Sequence, residues 1–273
     1  MSLSSAFTKL IPKMSVEAIL ILVQQGLNEL QFRESESQKM ATIADPKKKL
    51  KTEDLGDMFE MAICLGLEIP YNKKYKYGTE LPERLKPRLA PLKDLITKPN
   101  HNKERHAIYD FVSLDNPLKH LSAKSSKKGK QNGRIAPQQI GQPQPKKFCD
   151  VLGIDYVDNY ILKKYIQENI QSVLPKLLEY TPFPMVYYNE HTDSIKYITL
   201  KDSNIDWSQY KYSWTRTYDD WTNSSQVKIE FDGTIYPLVE FQFHTKSRTN
   251  MANRWFFENF LKVFKNNLDI VEF

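Results

Sequence analysis

Asp110, Ser122 and Lys124 are the residues of this chain whose types and spacing are best suited to chemistry. They fall in the stretch IYDFVSLDNPLKHLSAK, which reads as two strands joined by a turn. The first strand covers residues 107–112, Asp115-Asn116-Pro117 is the turn signal, and the return strand covers 118–124. Side chains alternate faces along a strand, so two paired strands can present Asp110 and Lys124 side by side. An acid and a lysine so placed suit phosphodiester hydrolysis. That reaction needs a divalent cation, an oriented water and preplaced positive charge to meet the developing anion. Mg2+ takes hard oxygen ligands, usually one or two carboxylates, with water and phosphate filling the other positions. Asp110 would supply a metal-binding carboxylate, Lys124 the fixed cation, and Ser122 would help to position water or metal.

The elements around this hairpin must hold it and complete it. Residues 52–69 carry an apolar helical stripe of Leu55, Met58, Phe59, Ala62, Ile63 and Leu67. Thr52 is a good N-cap, Glu53 and Asp54 suit the first-turn dipole, and Pro70 is expected to end the helix. Glu60 flanks the stripe. If this helix packs beside the hairpin, Glu60 becomes the second metal carboxylate; otherwise it is a solvated flank residue.

Upstream, residues 15–30 predict a packing helix, and residues 31–51 a polar linker. Residues 71–103 are loop-rich, with a short helical pattern over 85–96. Downstream, residues 155–180 predict one long amphipathic helix bent or broken near Pro175. Residues 184–200 read as a hairpin around His191-Thr192-Asp193. Residues 227–243 read as a second hairpin turning at Asp232-Gly233. Residues 250–267 predict a closing aromatic helix. The aromatics between Trp207 and Trp221 read as core or interface rather than as a base-stacking platform. This order implies a mixed α/β (α+β) fold with a central mixed sheet flanked by helices.

Four segments together resemble type II restriction endonucleases of the PD-(D/E)xK superfamily. They are Phe59-Glu60-Met61-Ala62-Ile63-Cys64, Tyr109-Asp110-Phe111, Leu121-Ser122-Ala123-Lys124 and the APQQIGQ run ending at Gln142. The resemblance is carried by residues 50–150 and is weaker elsewhere. It implies a restriction-endonuclease-like single domain over 1–273, with a catalytic core over 45–150 and a DNA-recognition and structural part over 151–273. It further implies Mg2+-dependent, sequence-specific cleavage of double-stranded DNA, a homodimer, and a cognate DNA methyltransferase acting on the same site. Ser122 stands where the superfamily usually has its second acid, which shifts that role to Glu60 or to a residue not identified by motif.

A rival centre lies on the second hairpin, where Asp232 is followed by Glu240, Gln242 and His244. Asp232 sits beside Gly233 in the turn, where turn chemistry alone explains an aspartate. The first hairpin is therefore preferred, and Glu240, Gln242 and His244 become DNA contacts or supports of the site.

Charge points toward the same partner. The 273-residue chain has a net charge of +6 and an isoelectric point near 9.0. Between Asp115 and Asp150 every charged residue is basic. Lys127, Lys128, Lys130 and Arg134 suit phosphate contacts that position a duplex. Gln138, Gln139 and Gln142 follow, and glutamine can read adenine bidentately. Lys246, Arg248, Asn250 and Arg254, read as lying at a helix N-terminus, form a second candidate phosphate or base contact.

Other chemistries lack support. Cys64 and Cys149 lie in no metal-binding spacing and read as reduced thiols. Histidines 101, 106, 120, 191 and 244 show no zinc pattern, and there is no Walker or dinucleotide fingerprint. No signal-peptide pattern or spanning segment is seen, so a soluble cytoplasmic protein without membrane contact is expected. The competing readings are a non-catalytic DNA-binding protein, a repair or recombination nuclease on the same fold, and an interaction protein using its aromatic C-terminal half.

Overall fold

The structure is a computed structural model and describes residues 52–102, 109–116, 118–128, 133–135, 143–201, 205–244 and 250–273. The expected helix over 15–30 lies outside the described residues. All elements below belong to one compact unit made of residues 50–75 and 79–273.

Helix α1, Thr52–Leu67, buries the stripe read from sequence, with Leu55, Phe59, Ala62 and Ile63 at most 1% exposed. It stops three residues before Pro70 because Glu68 takes a left-handed φ of 59°, and the Ile69 N–H returns to the Cys64 carbonyl at 3.0 Å. Helix α2, Glu80–Leu89, starts five residues earlier than expected and runs into a 3-10 turn over Ala90–Asp94. A Cβ on Gly66 would stand 2.8 Å from the Leu89 Cβ, so glycine is what lets α1 and α2 approach so closely.

The strands in chain order are β1 Pro99–His101, β2 Phe111–Ser113, β3 His120–Ser126, β4 Arg134–Ile135 and β5 Met185–Asn189, followed by β6 Ser194–Leu200. Then come β7 Lys211–Trp214, β8 Ser224–Phe231, β9 Thr234–Phe243, β10 Met251–Phe256 and β11 Leu268–Glu272. They form a six-stranded sheet ordered β1-β2-β3-β5-β6-β11 and a five-stranded sheet ordered β4-β10-β9-β8-β7. In the first sheet β3 and β5 run parallel and the other neighbours antiparallel, which makes it mixed, as the sequence implied. One face of this sheet, with Phe111, Leu121, Val186, Tyr188 and Ile195, packs on α1 and α2. The opposite face contributes Met185, Tyr187 and Ile198 to a larger core shared with the second sheet.

The second sheet contains the expected hairpin. Asp232 and Gly233 have φ of 53° and 71°, the two positive values of a tight two-residue turn. Trp207 and Trp221 are buried in the core, as expected of that aromatic stretch.

Two helical expectations need correction. Residues 155–180 form two helices, α4 Asn159–Glu168 and α5 Ile170–Glu179, after α3, Pro145–Leu152. The break falls at Asn169, whose side chain and backbone N–H both bond the Tyr165 carbonyl, at 3.0 and 2.9 Å. Pro175 lies inside α5 instead of breaking it. The closing helix over 250–267 is replaced by β10 and a short α6, Phe257–Val263. β10 is held by its ladder to β9, from Met251 opposite Phe243 to Trp255 opposite Val239. A dense aromatic run satisfies both the strand and the helix period, and the tertiary pairing decided between them. Among the described residues, no helix is long and apolar enough to cross a membrane.

Candidate active site

Asp110 stands just outside β2, at the point where β2 and β3 part. The sequence placed it within a strand over 107–112, but β2 begins at Phe111, and residues 107–108 lie outside the described part. β2 and β3 pair at Phe111 with Leu121 and at Val112 with His120. On its other edge β3 pairs with β5, and the Ser122 N–H bonds the Pro184 carbonyl at 3.0 Å. Successive N–H groups of a strand point to opposite edges, so the Ala123 N–H faces the side that β2 has left. The Asp110 carboxylate fills that place and accepts the Ala123 N–H through Oδ2 at 2.7 Å.

The same oxygen collects two further donors, Ser122 Oγ at 3.0 Å and Lys124 Nζ at 3.2 Å. Ser122 and Lys124 share one face of β3 because the side-chain period is two, and both are buried. Lys124 Nζ also donates to Ser122 Oγ at 2.8 Å and to the Ala123 carbonyl at 2.7 Å. The ammonium is thus paired and hydrogen-bonded, the condition under which a buried charge is tolerated. Burial pushes the Asp110 carboxyl pKa up. The Lys124 charge, the Ala123 N–H and the Ser122 hydroxyl outweigh it and hold the group below its ordinary value. Asp110 is therefore an anion at neutral pH.

Glu60 projects from α1 next to the buried Phe59, and its side chain is 12% exposed. It is not solvated. Its Oε2 accepts from Lys73 Nζ at 2.6 Å and meets His101 Nε2 at 3.1 Å. Burial pushes the Lys73 pKa down, but the Glu60 carboxylate first, and then Asp110 and Asp57, raise it above its ordinary value. Lys73 therefore lies in the field of both candidate carboxylates. Sequence reading missed Lys73 and His101. Nothing in the local sequence pattern of His101 marks a partner 41 positions away.

A divalent metal fits these residues in a limited way. Among the described residues, each carboxylate commits one oxygen to protein donors, Oδ2 of Asp110 and Oε2 of Glu60, which leaves Oδ1 and Oε1 as candidate metal ligands. Among the described residues, no group of three His, Cys, Asp or Glu side chains could hold a metal. This donor set suits a hard cation such as Mg2+ that keeps much of its water and takes substrate oxygens.

The rival centre is not assembled. Asp232 occupies the tip of the β8–β9 hairpin, whereas Glu240 lies far down β9, opposite Gln226. Glu240 is instead engaged by two arginines: it pairs with Arg134 and accepts from Arg254 Nη1 at 3.0 Å. Arg254 Nη1 also donates to Gln242 Oε1. Arg134, read as a phosphate contact, has a side chain only 6% exposed and lies against Glu240 and the Phe256 ring. Burial lowers its pKa, Glu240 opposes this and Arg254 adds to it. Arg134 is thus committed to the interior, which corrects that assignment. His244 follows β9, its backbone N–H donating to the Asn250 carbonyl at 2.8 Å.

Lys127 and Lys128 follow β3 directly, and the Lys128 N–H donates to Glu190 Oε2 at 2.7 Å. At about 3.3 Å of rise per strand residue, they begin within about 13 Å of Lys124. Lys130, Gln138, Gln139, Gln142, Lys246 and Arg248 lie outside the described residues.

The chain is similar to the type II restriction enzyme CviAII of Paramecium bursaria Chlorella virus 1, with 38% identity over 224 residues. The match takes in 81% of this chain and 63% of that protein, so the chain spans less than two thirds of the relative's length. No protein-family model matches the sequence, and no solved structure matches it.

Proposed function

We propose that this protein is a Mg2+-dependent, sequence-specific endonuclease of double-stranded DNA, of the type II restriction class and the PD-(D/E)xK superfamily. The observation that carries this reading is the convergence of the Ser122 hydroxyl, the Ala123 N–H and the Lys124 ammonium on Asp110 Oδ2 where β2 and β3 separate. The similarity to a type II restriction enzyme supports the same reading.

In the reaction, a water oxygen forms a bond to phosphorus, one ester P–O bond breaks, and a proton ends on the departing alkoxide. A divalent cation bound through Asp110 and Glu60 would polarise the phosphoryl oxygens and acidify water. The protein's own part is electrostatic and positional. Asp110 is fixed by three donors and stays ionised. Lys124 stands buried beside the carboxylate, where its side chain would meet the charge that develops on the phosphate. Ser122 bridges the two and fixes their spacing. Lys127 and Lys128 lead the basic segment that would neutralise backbone phosphates.

Residues 45–150 would form the catalytic core, and residues 151–273 the recognition and structural part. A homodimer, with one centre per DNA strand, and a cognate methyltransferase protecting the same site belong to this reading. So does a cytoplasmic location.

The test is incubation of the purified protein with a long unmethylated duplex, with and without Mg2+. The reading expects discrete, reproducible fragments that require the metal and are lost in Asp110→Ala and Lys124→Ala. Salt-sensitive binding without cleavage would overturn it in favour of a DNA-binding module.

A further inference from the structure

Glu60 is the weaker half of the proposed metal pair, because nothing in its motif fixes its orientation. The structure supplies a fixing device. The Asn72 backbone N–H donates to His101 Nδ1 at 2.9 Å. A ring nitrogen that accepts carries no proton, so in the neutral ring the proton sits on Nε2. That nitrogen lies 3.1 Å from Glu60 Oε2 and donates to it. The Asn72 side chain in turn donates to the His101 carbonyl at 2.6 Å, tying the loop to β1 on both sides of the residue. The imidazole is fully buried, stacked on Tyr71 at 4.6 Å and tilted against Phe111 at 5.2 Å. Its ring therefore has one orientation and one tautomer.

Lys73, the residue after Asn72, donates to the same Glu60 oxygen at 2.6 Å. One short segment, Tyr71-Asn72-Lys73, thus stacks the histidine, sets its tautomer and adds a second anchor on Oε2. Among the described residues, both anchors take Oε2 and leave Oε1.

We infer that His101 is a positioning residue for metal binding: oriented by the Asn72 N–H, it holds Glu60 Oε2 so that Oε1 is presented to a divalent cation. The inference rests on the reading of Glu60 as a metal ligand. A carboxylate held by a histidine N–H differs from a free one in that its rotamer is settled before the metal arrives, and loss of such a partner typically costs 10–100-fold in metal affinity.

Two substitutions separate this role from a structural one. In His101→Gln the side-chain amide nitrogen occupies the place of Nε2, so the donor to Glu60 is kept. In His101→Asn the amide oxygen occupies the place of Nδ1, so only the Asn72 contact is kept. Both remove the ring and its stacking. The experiment titrates Mn2+ into the full-length protein without DNA and reads free Mn2+ by electron paramagnetic resonance, with a thermal melt of each variant. The inference expects His101→Gln to bind within about threefold of the wild type, His101→Asn to bind about 10–100-fold more weakly at a similar melting temperature, and Glu60→Gln to lose the site. Equal affinities of the two His101 variants would overturn it, as would wild-type binding by Glu60→Gln. If the expected Mn2+ pattern appears but no duplex is cut, the endonuclease reading fails and this inference stands. If DNA is cut while His101→Asn binds Mn2+ as the wild type does, the reverse holds.

Discussion

The Asp110 carboxylate does for Ala123 what a neighbouring strand would do: it accepts the Ala123 N–H at 2.7 Å where β2 has turned away from β3. One group thus closes an open ladder position and carries the charge of the candidate site. Structure and chemistry are coupled there, and substitutions should show both.

Asp110→Ala leaves the Ala123 N–H without its acceptor and the buried Lys124 ammonium without the Asp110 countercharge. Leaving a buried polar group unsatisfied costs about 1–3 kcal/mol, and more for a charge. The expected result is a fall in unfolding free energy of about 2–4 kcal/mol in urea melts, together with loss of DNA cleavage. Asp110→Asn keeps an acceptor for Ala123 and should lose less stability with an equal loss of cleavage. Equal destabilisation by both would show that the Ala123 contact contributes little.

The Asp110 pKa lies below its ordinary value of 3.8 in the folded protein. The unfolded chain therefore binds the proton more readily, and stability from this group falls as pH falls. It is fully present well above 3.8 and is lost as pH drops through the lowered folded value. Melting temperatures of wild type and Asp110→Asn should differ most near neutral pH and converge in strong acid. A gap that stays constant with pH would contradict the assignment.

Glu240 separates the two hairpins. It neutralises the buried Arg134 and also holds Arg254. Removing one partner of a buried pair costs roughly 3–5 kcal/mol. Glu240→Ala should be strongly destabilised in denaturant melts, yet cleavage per folded molecule at low temperature should stay within about threefold of the wild type. A cleavage loss as deep as that of Lys124→Ala, with folding intact, would return the second hairpin to candidacy.

The glycine between the two N-terminal helices of the described unit gives a fourth test. Gly66→Ala drives a Cβ to 2.8 Å from the Leu89 Cβ. Overpacking of this kind costs about 1–3 kcal/mol, read as a lowered urea midpoint. An unchanged midpoint would mean that α1 and α2 can separate freely.

What could be read from the sequence followed from local signals. The α1 stripe, the turn at Asp232-Gly233 and the grouping of Asp110 with Ser122 and Lys124 each depend on spacing within a hairpin or a helix. What could not be read depended on distant partners. Residues 251–256 became a strand because β9 lay ready to pair with them. Arg134 looks like part of a basic run but is buried by Glu240, more than a hundred positions away. The hold of His101 on Glu60 joins a helix to a strand through a loop whose sequence shows no motif. Asp110 reads as a strand residue in the sequence, yet it stands just outside β2 and caps the open edge of β3.

The most direct measurement is single-turnover cleavage of a pre-bound duplex on addition of Mg2+, comparing wild type with Lys124→Ala and Asp110→Asn. The account predicts that both variants still bind DNA with near wild-type, salt-dependent affinity, while the cleavage rate falls by about 10³-fold or more. Cleavage at the wild-type rate by either folded variant would contradict a centre built on Asp110 and Lys124.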